Sequence, residues 1–320
     1  MITLAMLYLV TGVVFAAWSI LSAADASNPK RWGNAGFWGL LALSFLAGDA
    51  IPDFGNGLIV LALAALAGTG QLGRGAAPSS SAAQRAAFAE RFGNRLFVPA
   101  IIIPITAFAG TLLYKFTPLG RLGLFEERWV TLILLGLGVI IALAVCMIWL
   151  RPRPITLLEE GRRLIDSIGW AAVLPQLLAS LGAVFALAGV GEVIGSLAGE
   201  AIPANSPFLA VVAFALGMVI FTMIMGNAFA AFPVMAAAIG IPLLVVAYDG
   251  NPAVVGAVGM LAGFCGTLLT PMAANFNIVP AALLELKDQN GVIRQQIGTA
   301  LPLLVCNIVI LYVGAFVLWN

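Results

Sequence analysis

Apolar residues fall in ten runs along this chain, near 2–24, 36–51, 54–70, 97–114, 129–150, 167–190, 207–225, 228–247, 252–271 and 298–318. The basic residues are confined to the gaps between them. Runs of about 20 apolar residues without charge are the signature of bilayer-spanning helices. The pattern therefore predicts an all-α integral membrane protein with about ten transmembrane segments. The runs at 36–51 and 54–70 are short for a bilayer, and read as tilted, half-inserted, or one hairpin around Asp49–Gly57.

Two runs are broken by residues that do not belong in a plain span. One reads TMIMGNAFAAFPVM around Gly226, Asn227 and Pro233; the other reads GTLLTPMAANFNIVPAALLELK around Thr270, Pro271, Asn275 and Asn277. Backbone freed by such residues in lipid must be re-satisfied by neighbours or line a cavity. Paired Gly/Pro-interrupted segments are the best sequence pointer to a transporter's binding site. Broken or re-entrant helices are accordingly expected in the C-terminal half, at 222–242 and 265–285.

Helix ends meeting at these breaks would offer partly positive N–H groups to an anion and carbonyls to Na⁺. Gly226, Asn227, Ala228, Thr267, Thr270, Asn275 and Asn277 are the candidate substrate-binding residues, with Pro233, Pro271 and Pro280 as helix-break residues. A single membrane asparagine is commonly interhelical glue worth about 1 kcal/mol. Three clustered with Gly, Thr and Pro at two breaks favour a site.

Charge orients the chain. All fifteen Lys and Arg lie between runs, twelve of them in the gaps at 25–35, 71–96, 151–163 and 285–297, and three in the gap holding Lys115, Arg121 and Arg128. By the positive-inside rule the first four gaps face the cytoplasm and both termini lie outside. The tryptophans at 18, 32, 38, 129, 149, 170 and 319 fall near run ends, as an interfacial belt requires.

The chain reads as one polytopic membrane domain over 1–320. It has N-terminal spans in 1–70, a cytoplasmic link at 71–96 and core spans in 97–320. Within the link, Ser79–Phe92 is either flexible or an interfacial helix with Arg85 and Arg91 on its polar side. Pro99 and Pro104 make the run from Phe97 a candidate for kinking or breaking. Asp49 and Asp53 allow two readings, an ion-coupling pair at membrane depth or a surface turn, and the short flanking runs favour the turn. Glu192 and Glu200 read as surface carboxylates at a helix end. Met1–Ala24 lacks a basic leader region and reads as a retained span.

Composition narrows the function. Mean hydropathy is +1.07 and 9% of residues are charged, which excludes a soluble domain. The net charge of +1 implies no nucleic-acid partner. Cys146, Cys265 and Cys306 form neither a disulfide framework nor a metal motif. There is no histidine, so an intramembrane serine or zinc protease is excluded. An aspartyl type would need a Gly-x-Gly-Asp motif, and Ala47 stands two before Asp49 with Leu46 at the first position. No enzyme and no cofactor is expected; Na⁺ or H⁺ is the expected coupling ion. No run contains Lys, Arg or His, so an anionic substrate would be held by dipoles and neutral donors. Two alternatives remain: an intramembrane enzyme using Asp49 and Asp53 as a catalytic pair, which the missing first glycine disfavours, and a non-transporting scaffold, which has no need of interrupted segments.

Five stretches carry a family resemblance: Pro29-Lys30-Arg31, FWGLLALSFLAGDAIP, FVPAIIIPITAF, MGNAFAAFPVM and GTLLTPMAANFNIVPAALLELK. Through them the chain resembles the larger membrane subunit of two-component 5-oxoproline (pyroglutamate) transporters, a family long catalogued only as a domain of unknown function. The resemblance implies a permease subunit of the bacterial inner membrane that imports a small carboxylate with a smaller membrane partner subunit. The C-terminal half is also similar to ion-transporter-superfamily carriers of dicarboxylates, citrate and gluconate. There Gly226-Asn227-Ala228 and Ala274-Asn275-Phe276 occupy the places of Ser-Asn-Thr-like hairpin tips, without the flanking hydroxyls.

Overall fold

The structure, a computed structural model, describes residues 1–75, 81–201, 203, 206–284 and 286–318. Among them it is all-helical, and each of the ten apolar runs contains helix. Six helical stretches are long and apolar enough to cross a membrane, or up to seven if one bent pair is a single span. The chain is a multi-pass membrane protein. The centre of the link at 76–80, the Glu200 side chain and Trp319 lie outside the described residues. Contacts divide the chain into two compact units, Met1–Ser167 and Ile168–Asn320.

In the first unit, α1 (Leu4–Ala24) and α2 (Arg31–Ala47) form an antiparallel hairpin. Gly12 packs on Phe45 and Leu46 at one end, and Ser19 Oγ donates to Ala35 O at 2.7 Å toward the other. Phe15 stacks on Trp38 and Phe45 between them. Trp38 is buried, 1% exposed, so it is a core residue and not part of an interfacial belt. A 3₁₀ turn at Gly48–Ala50 leads to α3 (Asp53–Gly68). Asn56 holds that turn closed, its Nδ2 donating to Gly48 O and Ile51 O.

The link resolves into α4 (Ala82–Phe92), started by a reciprocal capping box between Ser81 and Gln84. Ser81→Ala is expected to cost about 1 kcal/mol of local helix stability, read as faster amide exchange confined to α4. Next, α5 (Phe97–Phe116) runs unbroken through Pro104 and pairs antiparallel with α6 (Val130–Leu150), Gly110 against Leu134 and Gly138 against Ile103. Sequence patterning assigns 151–163 to a loop, yet α7 (Thr156–Ile168) is a strongly amphipathic helix there. It is rich in charge, so it is invisible to a search for apolar runs, although its apolar and charged faces alternate with helical period.

The second unit opens with α8 (Leu174–Leu187) and α9 (Val190–Ala201). They are bent 66° to one another at Gly189, which has φ +71. Three more helical stretches make the core: α10 (Pro207–Met225), α11 (Ala228–Met235), which continues as a π-helix over Ala236–Ala247, and α12 (Pro252–Thr267). Pro242 lies inside the wide coil. It offers no N–H and its ring excludes the carbonyl four residues earlier, which favours the wider coil.

Register follows from which residues touch. Gly217 packs on Met235, and Gly240 on Phe214, so α11 and its π continuation run antiparallel to α10. Gly259 packs on Phe214, Gly263 on Met218 and Gly266 on Val219, so α12 runs parallel to α10. Beside α12 lies antiparallel α14 (Gly291–Phe316), with Gly314 on Val254 and Asn307 near Cys265. Gly259, Gly263 and Gly266 form a small-residue row that lets α10 and α12 approach closely. Phe214 and Met218, both fully buried, fill the centre of this layer.

Candidate functional site

Parallel running of α10 and α12 brings their C-terminal ends to the same level, so the two breaks meet. The first is the tip of the α10–α11 hairpin. Gly226 closes α10 in the left-handed conformation, φ +72, with its N–H on Thr222 O at 2.7 Å. Asn227 then caps α11, its Oδ1 accepting from the Phe229 N–H at 2.8 Å. The second is the turn over 268–273 that leads into α13 (Ala274–Leu283).

The two tips interlock. Thr270 Oγ1 donates to Met223 O at 2.9 Å and accepts from the Met272 N–H. Gly226 sits directly against the Met272 carbonyl, where any Cβ would overlap it. Asn277 reaches back from α13 and its Nδ2 donates to Thr267 O at 2.8 Å and to Thr270 O at 2.7 Å. Thr267 O is a carbonyl that the end of α12 leaves without a helical partner, and Thr270 O belongs to the turn beyond it, where it also accepts from the Ala273 N–H. Because Nδ2 faces two acceptors, the amide orientation is set, and Oδ1 must face away from them.

That Oδ1 is buried and without a hydrogen-bond partner, and so is Thr222 Oγ1 one turn before Gly226. Both side chains are 0% exposed. A buried orphan acceptor costs about 1–3 kcal/mol, so in a native fold such a group calls for an explanation. Electrostatically, the tips combine the partly positive N-termini of α11 and α13 with the partly negative C-termini of α10 and α12. The arrangement offers sites for an anion and for hydrogen-bond donors with no buried cationic side chain.

Of the residues singled out from sequence, the structure brings Gly226, Ala228, Thr267, Thr270 and Asn277 together as buried groups, with Asn227 half-buried at the hairpin tip. Thr267 Oγ1 turns back to Phe264 O and contributes only its carbonyl. Asn275 and Pro271 are exposed at the second tip. Pro233 and Pro280 are not at the breaks: they lie inside α11 and α13. The chain turns where glycine supplies the left-handed conformation and where the 268–273 segment leaves the helix. A proline within a membrane helix only removes one bond. Asp49 and Asp53 belong to the first unit, exposed beside the 3₁₀ turn that Asn56 closes. Thr222 was the residue missed. Its sequence signal was a threonine four before the Gly-Asn turn; the fold sets it against Gly263 and Gly266.

Close-packed parallel helix tips in a polytopic all-α framework define a membrane protein with a polar junction in its second unit. The chain belongs to the DUF979 family, described as proteins of unknown function, whose model matches residues 5–316. No curated protein and no solved structure matches it.

Proposed function

We propose that this chain is the permease subunit of a secondary transporter that imports a small carboxylate, 5-oxoproline, across a bacterial inner membrane. It works with a smaller membrane partner subunit and is driven by H⁺ or Na⁺. The reading involves no catalytic step. It takes all ten apolar runs as membrane segments, the shorter α2, α3 and α12 and the bent α8–α9 pair included. In it the two tips are the re-entrant elements.

The observation that carries the proposal is the orphaned Asn277 Oδ1 at the junction of the two tips. 5-Oxoproline has one carboxylate, which suits the N-termini of α11 and α13. It has one lactam N–H, which suits a buried acceptor whose own N–H groups are already used.

The test is uptake of labelled 5-oxoproline into proteoliposomes holding the chain with and without its partner subunit, under imposed H⁺ or Na⁺ gradients. Uptake is expected only with both subunits. Asn275→Ala alters an exposed side chain, so stability should stay within about 0.5 kcal/mol while uptake falls. Asn227→Ala should also lower uptake, with the loss of about 1 kcal/mol that accompanies a removed N-cap. No uptake under any gradient, from folded protein, removes 5-oxoproline as the substrate.

A further inference from the structure

The amphipathic helix α7 lies across the ends of α1 and α2 in the first unit. Trp18 Nε1 donates to Leu158 O at 3.1 Å, and Gly161 packs on the Trp18 ring. From α7, Arg162 Nη1 reaches Asp25 Oδ2 at 2.7 Å and Asp166 Oδ2 at 3.5 Å. Trp38 Nε1 of α2 donates to Asp166 Oδ1 at 2.8 Å. These three charged side chains are at most 12% exposed.

Two carboxylates therefore share one guanidinium inside an enclosed site, and they share it unequally. Asp25 takes the short contact and also accepts from the Ser27 N–H and Oγ–H. Asp166 has the long contact and only neutral donors besides, Trp38 and Asn34. With both carboxylates ionised the cluster holds one uncompensated negative charge, which burial penalises. One proton neutralises it, and the less well paired carboxylate is where that proton goes. We infer that Asp166 is a proton-binding carboxyl, taking one proton from solvent while Asp25 stays ionised on Arg162. As a coupling site it rests on the transport proposal above; as a proton site it does not.

The groups facing Asp166 are Asp25 from the end of α1, Asn34 and Trp38 from α2, and Arg162 on α7 itself. Nearby, Arg74 donates to Ser167 O, and Arg163 pairs with Glu160. Burial holds the Asp166 carboxyl above the usual carboxylate range, against the pull of Trp38 and Arg162. Asp25 goes the other way, lowered by the Ser27 hydrogen bond and then by Arg162. The two signs oppose. Stability from Asp166 is present below the ordinary carboxylate range and is lost as pH rises through its folded midpoint. Stability from Asp25 is present above that range and is lost as pH falls through its folded midpoint.

The test is a pH titration of the full chain in lipid nanodiscs with carboxyl-¹³C aspartate, the Asp166 signal identified by its loss in Asp166→Asn. The expected midpoint lies above the ordinary carboxylate range. Asp25→Asn removes the like charge and frees Arg162, so it should move that midpoint down. A wild-type Asp166 signal titrating at or below the ordinary range overturns the inference; should Asp166→Asn not fold, Asp166→Glu identifies the signal by its shift. In proteoliposomes, Asp166→Asn should lose accumulation driven by a pH gradient and keep exchange of labelled for unlabelled 5-oxoproline. Undiminished gradient-driven accumulation in Asp166→Asn overturns the coupling role. Wild-type chain that moves no 5-oxoproline even with its partner subunit removes that substrate, and the titration still decides the proton site.

Discussion

Asn277→Leu is expected to cost about 2–4 kcal/mol and to abolish uptake. The leucine fills similar space but withdraws both donors, leaving Thr267 O to find another partner and Thr270 O with only its 3.4 Å bond from the Ala273 N–H, at about 1–3 kcal/mol for each buried carbonyl left unsatisfied. Asn277→Asp keeps the shape and also lacks the amide donors, placing acceptors against acceptors at neutral pH, so it should be no better. Reversible unfolding in detergent, followed by tryptophan fluorescence, measures the loss. An Asn277→Leu protein within about 0.5 kcal/mol of wild type would mean that the contact between the tips is not held by this amide.

Gly226→Val should be the most damaging single change in the second unit. At φ +72 an L residue costs roughly 1–2 kcal/mol, and more when β-branched. Its Cβ would also overlap the Met272 carbonyl, so the second tip would have to retreat and give up the Thr270–Met223 bond. The expected total is about 3 kcal/mol or more, seen as failure to accumulate folded protein. Gly298→Ala is the control. That glycine lies in α14 with nothing within 4 Å of an added Cβ, and the change should gain up to about 1 kcal/mol from helix propensity. Equal behaviour of the two variants would contradict the assignment of Gly226 to a strained, closely packed turn.

The membrane class and the positions of the helices were legible in the apolar runs, because burial in lipid imposes a long, uninterrupted hydrophobic pattern. So were the two polar turns. Gly226-Asn227 announces itself, since few residues other than glycine adopt that conformation and asparagine is a natural cap. The prolines misled. Pro233 and Pro280 stand close to the turns in sequence, but a proline inside a helix removes a donor without ending the helix when neighbours hold it. The α7 helix escaped because charge density reads as loop, and only the alternation of its faces betrays a helix.

Partnership was not legible. Asn275 and Asn277 look equivalent in sequence, two residues apart in one polar turn. The fold exposes the first and buries the second, because successive odd positions on a helix point about 200° apart. Trp38 reads as an interfacial tryptophan, and only α7, more than a hundred residues later, supplies the Asp166 carboxylate that holds it in the core.

The sequence by itself determined that this is an all-helical membrane protein, where its apolar helices lie, and that polar turns interrupt two of its apolar segments. Those properties depend on local residue patterns and on the demands of lipid. Only the tertiary structure decided that α10 and α12 run parallel, so that the turns interlock, Asn277 caps a helix end not its own, and two aspartates share Arg162. These depend on contacts between residues far apart in the chain, for which one-dimensional patterning carries no register.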